Sequence, residues 1–313
     1  MKRLNFVISF PGHNMYLREQ EAAARGAAER LRADLQFLNG EMDPLKQSHE
    51  LLELIQSRTA PKPDGILLEP VSAQGMPRVA ESAVNAGIAW VVSNAVVDYM
   101  EPLRKKSKVP VFQISQDHVE IGRIQGRQIA AMLPDGGSVL YLRGPAMNSV
   151  GQMRFEGLEN TQPKNVQVKS LKIQAVADSS YSTVCSWLSS GRVRPEETHL
   201  VVSQNADFIL GAKKAFETNM SEPDRTKWLS LPCAGAGVSN QLKSMVDQGT
   251  LRAAVLTSLT MDTALEMLVR ALRDGSQPQE KTFVDAQSYP TLERLAKIRS
   301  GPACTNQSPA GLD

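Results

Sequence analysis

The residues able to do chemistry in this chain gather in short polar groups that follow apolar runs. His13, Asn14, Met15 and Tyr16 come after Leu4–Ser9, Glu69 after Gly65–Leu68, and Asn94 after Ile88–Val92. Asn148, Gln152 and Asn205 hold comparable places further on, and Thr257 and Ser258 close the run Ala253–Leu256. Amide and hydroxyl groups dominate, and these both donate to and accept from a neutral hydroxylated ligand. Asn and Ser are also common helix caps and turn residues, so each has a purely structural reading beside the binding one.

Catalytic and metal chemistry finds less support. His13, His49, His118 and His199 form no recognisable catalytic set. His13 lies where it could touch a ligand, whereas His118 falls in a first helical turn, where a cap or an exposed position is expected. No Gly-x-Ser-x-Gly elbow, Gly-Lys-Ser phosphate loop or His-Glu-x-x-His helix occurs. Gly235-Ala236-Gly237 is an incomplete echo of a dinucleotide fingerprint and reads as a tight turn. Cys185, Cys233 and Cys304 are widely spaced and odd in number, which suits buried or idle thiols better than a metal site or a disulfide framework. The expectation is a protein that is not an enzyme, with no cofactor and no metal.

The elements that must position these groups alternate. Strands are expected at Leu4–Ser9, Leu35–Leu38, Gly65–Leu68, Ile88–Val92 and around Val111–Ile114, with helices at Tyr16–Arg32, Pro44–Arg58 and Ala73–Ala86. After Pro134-Asp135-Gly136-Gly137 the pattern restarts. Strands are expected at Ser138–Leu142, Val166–Ala175, Leu200–Ser203, Trp228–Leu231, Ala253–Leu256 and near Phe283. Helices are expected at Ser149–Leu158, Tyr181–Ser190, from Asn205 to Thr218, and at Val238–Gln248, Met261–Arg273 and Thr291–Ile298. Such alternation implies parallel sheets with helices on both faces, and ligands gather outside the carboxyl ends of such strands. Between the halves lies Val111–Leu133, whose helix opens on a capping-box spacing, Asp117 and Glu120, and carries Gly122 and Gly126 four apart, so another backbone can approach.

At 313 residues the chain exceeds a typical single domain, so two lobes are expected. Hydrophobic residues make up 42% and aromatics only 5%, which favours α/β layers over an aromatic-rich β-sandwich. A net charge of +2 from nearly balanced signs argues against nucleic-acid binding. The basic run Arg104–Lys108 is expected in a solvated loop. Met1-Lys2-Arg3 precedes an apolar run too short for a signal peptide, and no run reaches membrane-spanning length.

The stretches VISFPGHNMY, DGILLEP, NAGIAWVVSNA, ISQDHVEIGRIQGRQIAAML, SVLYLRGPAMNSVGQMRFEGL, VVSQNADFILGAKKAF and VDQGTLRAAVL, in this order, resemble the type I periplasmic-binding-protein superfamily. The likeness is to its ribose-type sugar-binding proteins, whose core recurs in lac-repressor-family regulators, and it covers nearly all of residues 3 to 288. It implies two doubly wound parallel-sheet lobes with a cleft between them, joined by a three-segment hinge: residues 1–114 plus 258–284, and 115–257 plus 285–300. Residues 301–313, with Asn, Gln, Ser, Pro and Gly, are expected from composition to form a disordered tail. It also implies a small-molecule ligand, a sugar or polyol, with a membrane permease or a signalling protein as partner. Location would be periplasmic by resemblance, or cytoplasmic were this the complete gene product. An intracellular sensor is the alternative to a transport receptor. Residue by residue, the family's strand-one Asn falls at His13 and its stacking aromatics at Met15 and Tyr16. The Asn after strand three becomes Glu69, and the Asp-Arg grip after strand four becomes Asn94-Ala95. Gln152 replaces the first Arg of the second-lobe helix, while Arg154 keeps the second and Asn205 keeps the cleft Asn. A family Asp falls at Gly237, the hinge Gln at Thr257, and the second-lobe aromatic wall at Tyr181. Most charged members of the sugar grip are replaced, which implies weaker binding or a ligand of different polarity from ribose.

Overall fold

The computed structural model describes residues 3–72, 76–144, 149–173, 179–190 and 194–299. Two compact units divide the chain: Met1–Asp117 with Thr257–Asp285, and His118–Leu256 with the segment from Ala286. The first passage holds β1 (Leu4–Phe10), α1 (Met15–Leu31), β2 (Ala33–Asn39), α2 (Pro44–Gln56), β3 (Gly65–Leu68), α3 (Pro77–Asn85), β4 (Ala89–Ser93), α4 (Met100–Lys106) and β5 (Val111–Gln116). The second holds α5 (His118–Met132), β6 (Gly137–Arg143), α6 (Ser149–Glu159), β7 (Val166–Lys172), α7 (Ser179–Leu188), β8 (Leu200–Ser203), α8 (Ala206–Asn219), α9 (Asp224–Ser230), β9 (Cys233–Val238), α10 (Ser239–Asp247) and β10 (Ala253–Thr257). The chain returns to the first unit for α11 (Met261–Asp274) and β11 (Lys281–Val284), then to the second for β12 (Ala286–Tyr289) and α12 (Leu292–Arg299). It therefore passes between units three times.

Both sheets are six-stranded and share one topology. The first runs β2-β1-β3-β4-β5-β11 with parallel pairs throughout, and the second β7-β6-β8-β9-β10-β12. Strand order reverses at β1/β3 and at β6/β8, the places where open sheets bind ligands. The period of two explains why both faces are covered. Phe6, Ile8 and Phe10 of β1 and Val91 of β4 pack under α1 and α11, while Val7, Trp90 and Val92 face α2, α3 and α4. In the second unit Leu140 and Leu142 meet α7 and α8, and Val139 and Tyr141 meet α5, α6 and α12.

The close approach expected at Gly122 and Gly126 is present. A Cβ on Gly122 would run into the Arg154 carbonyl, one on Gly126 into Thr161 Oγ1, and one on Gly157 into the Val119 carbonyl. These glycines let α5 and α6 pack backbone to backbone. Glu120 is met by Arg123 (3.5 Å) and by Arg127.

Several expectations are corrected. Trp228–Leu231 is not a strand: Trp228 and Leu229 belong to α9, with Trp228 buried and stacked on Phe216 at 4.9 Å. The strand is β9, and its small residues have a packing cause, since a Cβ on Gly235 would lie 3.0 Å from the Ala206 Cα. Gly235-Ala236-Gly237 is thus extended strand rather than a tight turn. The basic run is not a loop as far as Lys106, because Arg104, Lys105 and Lys106 form the last turn of α4, where cations complement the helix dipole. Arg104 donates to the Val111 carbonyl at 2.8 Å and to that of Pro278, fastening β5 to the returning segment. His118 is buried rather than exposed. The expected tail, 301–313, lies outside the described residues.

Candidate functional site

The carboxyl edge of the first sheet is built on side-chain amides. Gln47 of α2 is fully buried; its Nε2 donates to Ser9 Oγ (3.1 Å) and to the Glu69 carbonyl (3.0 Å), and its Oε1 accepts from Val71 N (2.9 Å). One helix residue thus fixes the ends of β1 and β3. Gln20 of α1 does the same for the returning segment, with Oε1 accepting from Thr260 N and Met261 N and Nε2 donating to Thr260 Oγ1 and Tyr16 Oη. Thr260 Oγ1 lies 2.7 Å from Ser93 Oγ at the end of β4.

On this frame sit Glu69 and Asn94. Asn94 Nδ2 donates to Glu69 Oε1 at 3.0 Å, and its backbone, at φ 54°, is held in the left-handed region while its N–H donates to the Ile114 carbonyl at 2.8 Å. Asn tolerates that region better than most residues because its short side chain bonds locally. Glu69 is only 8% exposed, and burial pushes its carboxyl up to about 7, with the Asn94 bond pulling the other way. Glu69 Oε2 and Asn94 Oδ1 are both buried and have no hydrogen-bond partner among the described residues. Buried acceptors are rarely left so, since each costs roughly 1–3 kcal/mol.

The other first-unit residues are placed as follows. Asn14 caps α1, accepting from Leu17 N at 2.8 Å. Met15 opens α1, and its side chain lies outside the described atoms. His13 is exposed and accepts from Asn39 Nδ2 at 2.5 Å, joining the ends of β1 and β2. Thr257 is buried and accepts from Gln116 Nε2 at 3.0 Å, and Ser258 offers its carbonyl to the same amide at 3.3 Å.

At the edge of the second sheet Gln204 holds the frame. Its Oε1 accepts from Gly144 N (2.9 Å) and its Nε2 donates to the Gly151 carbonyl (2.7 Å). Arg154 of α6 donates to the Gln204 carbonyl and through Nε to His118 Nδ1 at 3.4 Å, so Gln204, Arg154 and His118 come together. Asn205 caps α8, accepting from Asp207 N at 3.1 Å. Arg143, closing β6, lays its guanidinium 4.0 Å from the Phe155 ring centre. Gln152 is exposed on α6, and Gly237 lies near the end of β9 with no side chain to offer. Tyr181 stands apart: its ring lies along α8, with Lys214 Nζ 5.1 Å from its centre and its hydroxyl 3.2 Å from Thr218 Oγ1. Asn148 lies outside the described residues.

Sequence reasoning missed Gln20, Gln47, Gln204, Ser93 and Thr260. Gln204 had a signal, its place at a strand end beside Asn205; the other two glutamines, inside helices, had none. Among the described residues no group of three or more His, Cys, Asp or Glu side chains is placed to hold a metal ion, and no helix is long and apolar enough to cross a membrane. Cys233 is buried, which pushes its thiol up to about 11, and Cys185 accepts from Asn219 Nδ2.

Residues 4–276 match the family described as periplasmic binding protein domain. A protein of Rhizobium meliloti that carries the name rhizopine-binding protein is 24% identical over 190 residues, 59% of this chain and 57% of its own length. The chain thus matches little more than half of that relative. Among solved structures, an ABC transporter solute-binding protein from Bacillus halodurans C-125 with bound myo-inositol has a TM-score of 0.75 at 17% identity, covering 95% of this chain and 98% of its own. A periplasmic solute-binding protein of an ABC transporter from Actinobacillus succinogenes 130z with bound D-allose has a TM-score of 0.76 at 14% identity, covering 95% and 100%. At these identities the likeness is one of fold.

Proposed function

The chain belongs to the periplasmic binding protein domain family, and from that premise we propose that it is a solute-binding protein for a small sugar- or polyol-like molecule. The observation that carries the reading is the family match over residues 4–276 on a chain whose two doubly wound sheets reverse strand order at β1/β3 and β6/β8, the places where open sheets bind ligands. The myo-inositol and D-allose found in proteins of the same fold support the ligand class. In this reading the ligand shifts the protein toward a closed arrangement of its lobes by hinge motion, and the closed form hands the solute to an ABC-type permease on the periplasmic side of a membrane. The family and these neighbours bind ligands rather than transform them, and the same is proposed here.

A thermal-shift screen over sugars, cyclitols and other polyols tests the proposal. A binder at about 100 times its dissociation constant adds roughly 2.7 kcal/mol of stability. A panel in which no member raises the melting temperature would refute it.

A further inference from the structure

At the carboxyl ends of β3 and β4 the hydrogen bonds fall one proton short. Glu69 and Asn94 are already joined by Asn94 Nδ2 donating to Glu69 Oε1 at 3.0 Å. Their other two oxygens, Glu69 Oε2 and Asn94 Oδ1, are buried and accept from no donor among the described residues. Burial closes both to solvent and to any solute, so the missing donor has to come from within the pair. An ionised carboxylate only accepts, whereas a protonated carboxyl also donates through one O–H. A proton on Glu69 Oε2 that donates to Asn94 Oδ1 satisfies both atoms at once. With the Nδ2–Oε1 bond it closes a ring of two reciprocal hydrogen bonds between a carboxylic acid and a carboxamide.

The surroundings keep the acid neutral. Three elements face Glu69 with uncharged groups: β1 with the Ser9 carbonyl, which accepts from Glu69 N at 3.0 Å, α2 with Gln47, and β4 with Asn94. Charged groups on the packed elements are engaged elsewhere. His13 lies against Asn39, Asp43 caps α2, and Lys46 pairs with Glu41 at 2.6 Å and Glu50 at 3.7 Å, while Arg78, Glu81 and Asp98 are exposed. None of them contributes to the state of the Glu69 carboxyl, which burial and, to a smaller extent, Asn94 set.

We propose that Glu69 and Asn94 form a protonated acid–amide latch that ties the end of β3 to the end of β4, and that loss of its proton to solvent opens it. Deprotonation leaves a buried charge with one donor and sets its second oxygen against the Asn94 carbonyl, an arrangement relieved only by moving toward water. Opening frees Asn94, whose left-handed backbone is otherwise held by its N–H bond to the Ile114 carbonyl, at an edge where open sheets gather ligands. The closed form holds the proton, so the latch is fastened in acid and released as pH rises through about 7. This goes beyond the solute-binding reading and does not depend on it.

The test is NMR of the full chain from about pH 4 to about pH 9, following the Glu69 carboxyl carbon, the Asn94 side-chain amide and hydrogen exchange of the Asn94 N–H. The carboxyl carbon is expected to titrate close to 7, with the Asn94 amide moving at the same midpoint. Protection of the Asn94 N–H, corrected for the intrinsic exchange rate, is expected to fall about tenfold between about pH 6 and pH 8. Glu69→Gln keeps the ring, because its amide donates and accepts at the same two places, and its protection is expected to stay within about twofold over that range. A Glu69 carboxyl that titrates near its ordinary 4.5 would overturn the inference. So would an Asn94 amide blind to the Glu69 transition, which means burial without a shared proton, and so would a tenfold fall that persists in Glu69→Gln. Should Glu69→Gln not fold, coincidence of the two midpoints in the wild type decides.

Discussion

Gln20 and Thr260 stand 240 positions apart and are joined twice, by Gln20 Nε2 donating to Thr260 Oγ1 at 3.0 Å and by Thr260 N donating to Gln20 Oε1 at 3.1 Å. With Met261 N on the same oxygen at 3.0 Å, one amide side chain caps α11 and fastens the returning segment to α1. Gln20→Leu preserves volume and removes all of these bonds, leaving buried groups unpaired. A loss of about 3 kcal/mol is expected in urea unfolding. A loss below about 1 kcal/mol would show that the clamp contributes little.

Glu69 makes stability depend on pH. Its folded carboxyl sits near 7, above its ordinary value of 4.5. The unfolded chain therefore gives up this proton first, and between those values the folded state holds more protons. Stability contributed here falls as pH rises from about 4.5 through about 7, by roughly 3 kcal/mol in all. Glu69→Gln is expected to match wild type near pH 4 and to exceed it by up to that amount at pH 8. Denaturation curves at the two pH values that move in parallel would contradict this.

Two glycine-to-alanine substitutions, one at the contact between α5 and α6 and one on α1, are expected to have opposite outcomes. Gly122→Ala drives a Cβ into the Arg154 backbone and is expected to cost about 3 kcal/mol or more. Gly26→Ala, within α1, meets only the end of Arg30 at 3.7 Å and is expected to stabilise by about 0.5–1 kcal/mol through helix propensity. Melting temperatures of the two variants check both signs.

Asn94 and Asn205 test the site on separate counts. Asn205→Ala removes the α8 cap and is expected to cost about 1 kcal/mol of stability, whereas Asn205→Ser keeps a capping oxygen. If Asn205 also touches ligand, both variants lose affinity and only Ala loses the cap. Asn94→Gly relieves the left-handed backbone yet removes the amide, so weaker ligand binding without destabilisation is expected. Unchanged affinity in Asn94→Gly and Asn205→Ala would remove both from the site.

The fold was legible because apolar residues alternate along β1 and β4 and recur at helical spacing between them; Phe6, Ile8 and Phe10 against Val7 already separate two faces. Trp228 misled because a bulky aromatic before Leu reads as strand, whereas β9 needed small residues beneath Ala206 and so looked like a turn. Of the site, the strand-end asparagines and Glu69 could be read from position. Gln20 and Gln47 could not, because a glutamine inside a helix carries no mark of burial until a distant segment arrives to use both ends of its amide.

The triple passage of the chain between units has a consequence for synthesis. When Asp117 leaves the ribosome, the first unit has five of its six strands but lacks α11 and β11. The apolar face formed by Phe6, Ile8, Leu67 and Val91 stays bare of Met261, Leu265, Leu268 and Val269 until His118–Leu256 of the second unit has been translated. A nascent chain arrested near residue 250 is thus a sticky half-product, and ribosome-bound holding factors are expected to dwell on it until the returning helix emerges.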